Sequence, residues 1–226
     1  MNVTERFLKY VTFATASDED STTFPSTSGQ LVLADYLTEE LRMIGVADAQ
    51  RDLNGYVYGH IPATPGFENE PVIGLIAHMD TSPDAPGENV NPKIVKYDGK
   101  NLPMIDDRYI GEDMIVSDGT TLLGADDKAG VAEIVSACER LINGEVKHGA
   151  VSICFTPDEE IGSGADRFDH KRFAADFAYT VDGGELGGIE YENFNAAAVR
   201  LNVYGLNTHP GSAKGKMRNA ALYLNE

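Results

Sequence analysis

The sequence has few cysteines, few basic residues and no long apolar run. Two cysteines among 226 residues, Cys138 and Cys154, cannot form a disulfide framework and give no sign of an oxidising compartment. No stretch approaches the roughly 18 apolar residues of a membrane span. The charged start, MNVTERFLKYVTF, lacks the apolar core of a signal peptide. We therefore expect a cytoplasmic protein.

Acidic residues outnumber basic residues two to one. The chain carries 18 Lys and Arg against 36 Asp and Glu, a formal net charge of −18. This charge disfavours nucleic acids and anionic membranes as partners, because both bind through phosphate neutralisation. Most of the charge is explained by solubility, and some of the carboxylates could instead surround cations. Hydrophobic residues make up 42% of the chain, which is typical of a globular protein with one full core and a remainder.

Hydrophobic periodicity predicts helices that alternate with strands. Helical spacing covers 4–14, 31–44 and 127–143. Short apolar runs typical of strands buried on both faces, or of a strand after a hairpin turn, occupy 56–58, 72–77, 151–155 and 178–181. The pair Asn54-Gly55 predicts the hairpin turn. The alternation predicts an α/β fold, a mostly parallel sheet flanked by helices.

Two regions depart from this alternation. Residues 83–121 are rich in Pro, Gly, Asn and Asp, and we expect a long surface loop with short strands there. Near residue 194 the pattern changes to a strand over 196–203 and a helix over 217–224. We therefore predict a first domain over 1–193 and the start of an α+β domain over 194–226.

Polar residues follow the predicted buried strands, where a sheet of this class places its ligands. His78 and Asp80 follow one strand, Glu159 and Glu160 the next, and Asp182 the third. Asp126 opens the helix that begins near 127. Each residue alone has a structural explanation: a satisfied histidine, a helix N-cap or a solvated charged turn. Together they would place five carboxylates at one edge.

So many carboxylates repel one another unless cations neutralise them. One imidazole with several carboxylates suits divalent metal ions, zinc among them. Consecutive residues in an extended chain point in opposite directions, so Glu159 and Glu160 could divide their roles between the attacking water and a metal. Asp80 could bind the second ring nitrogen of His78 and fix its tautomer.

Eight segments resemble one branch of the di-zinc M20 family of metallopeptidases, the tripeptide aminopeptidases. The segments are PSTSGQ, AHMDTSPD, NVNP, TLLGADDKAG, FTPDEEIG, YTVDGG and FNAAAV with NTHPGSAKG. The resemblance runs from about residue 5 to the end of the chain. It implies hydrolysis of the first peptide bond of a tripeptide by water that two zinc ions activate.

The resemblance also implies a role for individual residues. His78, Asp126 and Asp182 would hold the first zinc, with Asp80 orienting His78. Asp126 would bridge to the second zinc, which Glu160 would also bind. Glu159 would act as general base. A further residue, His209, would belong to a lid domain inserted into the catalytic domain and would bind substrate.

The chain is shorter than members of that branch. The last zinc ligand of the family, a histidine, matches none of the five histidines present. We therefore expect an N-terminal portion of the catalytic domain, joined to the start of the lid, in which the second zinc site is incomplete. The full-length family implies a possible homodimer.

Three alternatives stay open at this point. The chain could belong to another M20 hydrolase, a dipeptidase or a deacylase. It could be an inactive piece that binds at most one metal ion. It could also be an acidic α/β domain whose edge carboxylates are merely solvated.

Overall fold

The computed structural model describes residues 1–184, 186–193, 195–197 and 199–224. Two compact units make up the chain, residues 1–188 and residues 189–226. The predicted catalytic domain over 1–193 and the predicted lid beginning at 194 stay predictions, and Phe194 lies outside the described residues.

A five-stranded sheet forms the centre of the first unit. Its strands are β1 (Gln50–Arg51), β2 (Val57–Ile61), β3 (Ile73–His78), β6 (Val151–Thr156) and β7 (Phe177–Thr180), in the order β1-β2-β6-β3-β7. Strand β3 pairs in parallel with β6 and with β7, whereas β2 is antiparallel to β1 and to β6. The sheet is therefore mixed, with β2 reversed relative to the other four strands, and the expected α/β class is confirmed.

The described residues of this unit form four helices: α1 (Val3–Tyr10), α2 (Ser28–Ile44), α3 (Ala125–Ile142) and the short α4 (His170–Phe173). Helix α1 begins with a capping box between Asn2 and Glu5, and α2 ends at Gly45, whose positive φ of 111° suits a residue without a Cβ. The backbone of α3 is not helical at Asp126 and Asp127. Regular helix therefore starts just after the acidic pair.

Apolar side chains cover both faces of the sheet. The larger cluster packs α1, α2 and α3 on one face, with fully buried residues such as Leu37, Val131 and Phe155. On the other face, Tyr56, Tyr58, Cys154 and Phe173 form a smaller cluster with the partly buried Phe168. Strand β6 is thus fully buried and β3 is buried or partly buried along its length, as their continuous apolar runs predicted. The burial predicted for the strand over 178–181 is wrong, because all four residues of β7 are exposed.

The turn and loop predictions also hold. A hairpin joins β1 to β2 through Asn54 and Gly55, and Gly55 has a positive φ of 92°. Within 83–121, β4 (Lys93–Lys96) and β5 (Asp113–Val116) pair as an antiparallel ribbon, with a 3-10 turn at Asp107–Tyr109 between them.

A buried ion network ties the three long helices together. The Arg6 guanidinium of α1 contacts Glu40 of α2 at 2.8 Å and Glu139 of α3 at 2.7 Å. It also donates to the Ser136 hydroxyl, and Tyr10 donates to the second oxygen of Glu40. Burial alone would lower the pKa of Arg6, but the hydrogen bonds and charges of the two glutamates raise it. The guanidinium stays charged although only 1% of it is exposed.

Where the structure describes the second unit, it shows the short helix α5 (Ala220–Leu224), a 3-10 turn at Pro210–Ser212 and an isolated bridge between Leu206 and Arg218. The strand predicted over 196–203 is wrong for the residues that are described there, and Ala198 lies outside them. A strand needs a partner for its backbone hydrogen bonds, and the described part of this unit offers none. The helix predicted over 217–224 is confirmed in its last five residues.

Among the described residues, no helix has both the length and the apolar character needed to cross a bilayer.

Candidate functional site

His78, the last residue of β3, is the centre of the site. Its side chain is 2% exposed, and its Nδ1 lies 3.0 Å from the main-chain oxygen of Asp80 and 3.4 Å from the carboxylate of the same residue. Asp80 therefore contacts the ring nitrogen that faces the protein interior. The other nitrogen, Nε2, is left to face the carboxylates at the sheet edge.

Three carboxylates surround His78 Nε2. An oxygen of Asp126 lies 2.8 Å from this nitrogen, one of Asp182 lies at 3.8 Å, and one of Glu159 lies at 3.9 Å. One potential ligand atom each from His78, Asp126 and Asp182 falls within 4.8 Å of the other two. We call these three residues the histidine–carboxylate cluster.

Asp80 also organises the turn after β6. It is fully buried, and its two carboxylate oxygens accept hydrogen bonds from the main-chain N–H groups of Glu159, at 2.9 Å, and Glu160, at 3.1 Å. The Asp80 carboxylate thus contacts the His78 imidazole and also holds the backbone of Glu159, the predicted general base. Removing Asp80 would loosen both at once.

The carboxylates at this edge of the sheet repel one another and also act on the imidazole of His78. Burial raises the pKa of Glu159, Glu160 and Asp182, and neighbouring carboxylates raise it further. Burial alone would lower the pKa of His78, but hydrogen bonding and charge from Asp80, with smaller contributions from its neighbours, raise it to about 10. A divalent cation among the carboxylates would relieve their repulsion, and one imidazole with two carboxylates is a common ligand set for such an ion. The residues therefore fit a metal.

Glu160 and His209 were also named from the sequence, and neither belongs to the three-residue cluster. The backbone of Glu160 is bound to Asp80, but its side chain is not part of the three-residue cluster. His209 lies exposed in the second unit, where its Nδ1 accepts a hydrogen bond from the N–H of Gly211. The proposed roles of both residues stay predictions.

The sequence reasoning gave Asp127 no role in the site. Asp127 is 3% exposed, and its carboxylate accepts hydrogen bonds from the main-chain N–H groups of His78, at 3.1 Å, and Gly130, at 3.2 Å. Burial is the main reason why its pKa is raised, to about 8. The doubled aspartate of GADDKAG was the available signal, but the sequence does not tell which of the two faces inward.

The sequence analysis also gave no role to Asp158. Its hydrogen bonds connect two motifs that lie far apart in the sequence. It is 1% exposed and accepts hydrogen bonds from the backbone and hydroxyl of Ser26 and from the side chain of Gln30. PSTSGQ supplies these donors, and FTPDEEIG supplies the carboxylate. The pairing fixes the turn that carries Glu159 against the start of α2.

Gly130 gives a testable link between packing and the site. A Cβ at this position would overlap the main-chain oxygen of Val181, next to Asp182, and the carboxylate of Asp127. Alanine favours helices over glycine by about 0.5–1 kcal/mol, so without this overlap Gly130→Ala would stabilise α3. We expect the overlap to dominate. The free energy of unfolding should fall by about 1–3 kcal/mol, and the affinity for an added divalent metal ion by about tenfold, because Asp182 is displaced.

Chemical denaturation and zinc titration check this expectation. Gly184→Ala is the matched control, since a Cβ there meets nothing within 4 Å. Equal stability and equal zinc affinity of Gly130→Ala and the unmodified chain would contradict the proposed contact.

The chain matches a known family model over more than half of its length. Residues 74–199 match the model described as peptidase family M20/M25/M40. This range contains the whole histidine–carboxylate cluster, together with Asp80, Glu159 and Glu160.

Curated relatives match nearly the whole chain. Peptidase T of Caldanaerobacter subterraneus subsp. tengcongensis is 54% identical over 236 residues, which cover 97% of this chain and 58% of the relative. Peptidase T of Clostridium novyi is 55% identical over 242 residues, covering 99% of this chain and 59% of the relative. The chain thus spans just under three fifths of the length of these relatives.

Two solved peptidase structures have a fold similar to that of this chain. Aminopeptidase PepT from Bacillus cereus superimposes with a TM-score of 0.60 at 27% identity, covering 81% of this chain and 43% of that protein. Aminoacylhistidine dipeptidase from Vibrio alginolyticus gives a TM-score of 0.58 at 26% identity, covering 82% of this chain and 33% of that protein.

Proposed function

The chain belongs to peptidase family M20/M25/M40, and on that premise we propose that it carries the proton-transfer and metal-binding residues of a zinc aminopeptidase that releases the first residue of tripeptides. The observation that supports this proposal most strongly is the histidine–carboxylate cluster, with Glu159 3.9 Å from His78 Nε2. The tripeptide substrate is inferred from relatives named peptidase T. A cytoplasmic location and a homodimer stay predictions.

We assign the ligands as follows. His78, Asp126 and Asp182 would hold the first zinc ion, since imidazole and carboxylate are ligands that zinc accepts. Asp126 and Glu160 would contribute to the second ion. When bound, the metal would supply Lewis-acid polarisation of the scissile carbonyl and a more acidic water.

The protein's own residues manage the proton. Glu159 takes a proton from the attacking water as the oxygen bonds to the peptide carbonyl carbon. It then delivers this proton to the nitrogen of the departing dipeptide as the C–N bond breaks. Asp80 positions both His78 and the backbone of Glu159, so it acts through these two residues and does not itself meet the substrate.

A second candidate function rests on the ligand set. For the second ion, Asp126 and Glu160 are the only ligands assigned among the described residues, which is few for a stable zinc site. An inactive piece that binds at most one metal ion is therefore the alternative to a working di-zinc enzyme.

Zinc stoichiometry and peptide hydrolysis, measured on the same sample, test the proposal. We expect zinc binding together with cleavage of Leu-Gly-Gly to leucine and Gly-Gly, without cleavage of Leu-Gly or of N-acetyl-leucine. One zinc ion without turnover would favour the inactive piece. Cleavage of the dipeptide or the N-acyl amino acid, but not of the tripeptide, would favour another hydrolase of this family.

A further inference from the structure

The turn that carries Glu159 after β6, residues 157–160, has an unfavourable backbone conformation. Asp158 has a φ of 54°, in the left-handed region that residues with a Cβ rarely adopt. Hydrogen bonds within the loop close the turn: the main-chain oxygen of Asp158 accepts from the N–H of Ser163 at 2.9 Å, and that of Glu159 accepts from the N–H of Gly162 at 2.7 Å. Contacts with the rest of the fold are needed to fix where this turn lies.

The side chain of Asp158 supplies the first of these contacts. One carboxylate oxygen accepts from the N–H of Ser26 at 2.7 Å, and the other accepts from the Ser26 hydroxyl at 2.5 Å and from the Gln30 amide at 2.7 Å. The main-chain N–H of Asp158 donates to the Gln30 side-chain oxygen at 3.1 Å. Gln30 thus donates to and accepts from the same residue. We call Ser26, Gln30 and Asp158, all of them buried, the serine–glutamine clamp.

Helix α2 gives the clamp a fixed base. Three leucines of α2 are fully buried in the larger core cluster, Leu33, Leu37 and Leu41. The N-cap residue Thr27 makes no side-chain cap hydrogen bond, and the first turn of α2 has no acidic residue. Because the positive end of a helix dipole favours a nearby negative charge, the Asp158 carboxylate supplies what the start of α2 lacks. The clamp therefore stabilises the turn and the start of the helix together.

The same turn is held from a second direction. Asp80 accepts hydrogen bonds from the N–H groups of Glu159 and Glu160, on the side of the turn that faces His78. Asp80 thus links the turn to the end of β3, and the clamp links it to α2. A misplacement of about 1 Å at a reacting group can reduce a rate by about 10²-fold. Both anchors therefore bear on where Glu159 meets the attacking water.

We propose that Ser26, Gln30 and Asp158 position the general base, by holding the turn after β6 at the place from which Glu159 reaches the water. They are positioning residues, because they act through the backbone of the turn. This inference rests on the proposed function, since that function makes Glu159 the base. It goes further by assigning part of the rate of the chemical step to hydrogen bonds with a distant helix.

Gln30→Met tests this role. Methionine keeps the length of the side chain but removes both hydrogen bonds of the amide. We expect kcat for Leu-Gly-Gly to fall by about 10–10²-fold, because the base is displaced while the substrate contacts are kept. KM should change by less than about twofold, since the interaction lost acts mainly in the transition state. Zinc content should stay unchanged.

Hydrogen exchange gives a second measurement that needs neither metal nor turnover. Before zinc is added, the amide groups of Glu159 and Glu160 in Gln30→Met should exchange at least about tenfold faster than in the unmodified chain, because the turn opens locally. The amide of Ile153, in the middle of β6, should change by less than about twofold. The contrast separates movement of the turn from a general loss of stability.

Two further variants complete the test. Thr38→Val removes another buried side-chain hydrogen bond of α2, from the Thr38 hydroxyl to the main-chain oxygen of Ala34, and should leave kcat and the exchange of the turn unchanged. Ser26→Ala removes one donor of the clamp and should change both in the same direction as Gln30→Met, but less. If Gln30→Met does not fold, Ser26→Ala decides.

The outcomes separate the clamp from the proposed hydrolysis. Unchanged exchange at the turn, exchange raised equally throughout the chain, or a loss of activity that lies in KM would overturn the positioning role. Faster exchange confined to the turn, together with the fall in kcat, would support it. Faster exchange confined to the turn, in a chain that cleaves no peptide at all, would support the clamp as an anchor of Glu159 and overturn the proposed hydrolysis.

Discussion

Glu159→Gln is expected to reduce tripeptide turnover by about 10²–10⁴-fold while zinc stoichiometry stays unchanged. The amide keeps the size of the side chain and its place on the turn, where the backbone of Glu159 donates to Asp80. It cannot accept a proton from water and deliver it to the leaving nitrogen. Glu159 lies outside the histidine–carboxylate cluster, so zinc should stay bound.

Single-turnover hydrolysis of Leu-Gly-Gly, with the metal content of each sample measured, checks this prediction. Glu112→Gln, at an exposed position just before β5, is the matched control and should keep full activity. Turnover within a fewfold of the unmodified chain, or loss of zinc from Glu159→Gln, would contradict the proposed role. An unmodified chain without measurable turnover would contradict it as well.

Arg6→Met is expected to lower the free energy of unfolding by about 3–5 kcal/mol. The substitution leaves the carboxylate of Glu40, 2% exposed, without its cation, and Tyr10 alone cannot compensate a buried charge. Glu139 is 33% exposed and can regain water, so Glu40 accounts for most of the loss. Urea denaturation followed by circular dichroism measures the effect.

Two further variants separate charge burial from simple loss of contacts. Arg140→Met removes an ion pair whose partners are 69% and 46% exposed, and it should change stability by less than about 1 kcal/mol. Adding Glu40→Leu to Arg6→Met removes the unpaired charge and should restore at least half of the lost stability. A double variant as unstable as Arg6→Met alone would show that packing, and not charge, dominates at this position.

Much of the architecture could be predicted because its signals are local. The apolar runs at 72–77 and 151–155 form β3 and β6, the Asn54-Gly55 turn forms the hairpin, and 83–121 contains the short ribbon. The polar residues that follow the strands meet at one edge because parallel strands end together there. That rule brought His78 and Asp182 together before any contact was known, and the start of the helix that follows Gly124 added Asp126.

The prediction over 196–203 was wrong for a reason that concerns sheets in general. Alternating side chains show that a segment suits a strand, but a strand forms only where another backbone accepts and donates its hydrogen bonds. The described residues of the second unit provide an isolated bridge between Leu206 and Arg218 and no strand pair.

The sequence by itself determined the fold class, the family and the residues at the sheet edge, because periodicity and motif spacing depend on near neighbours in the chain. Tertiary structure alone decided how these residues are supported. Asp80 bonds to the backbone of a residue 79 positions away, and Arg6 pairs with a glutamate 133 positions away. No local pattern encodes such partners, since they depend on how separate helices and strands pack. The polar support of the site therefore became visible only when the chain was folded.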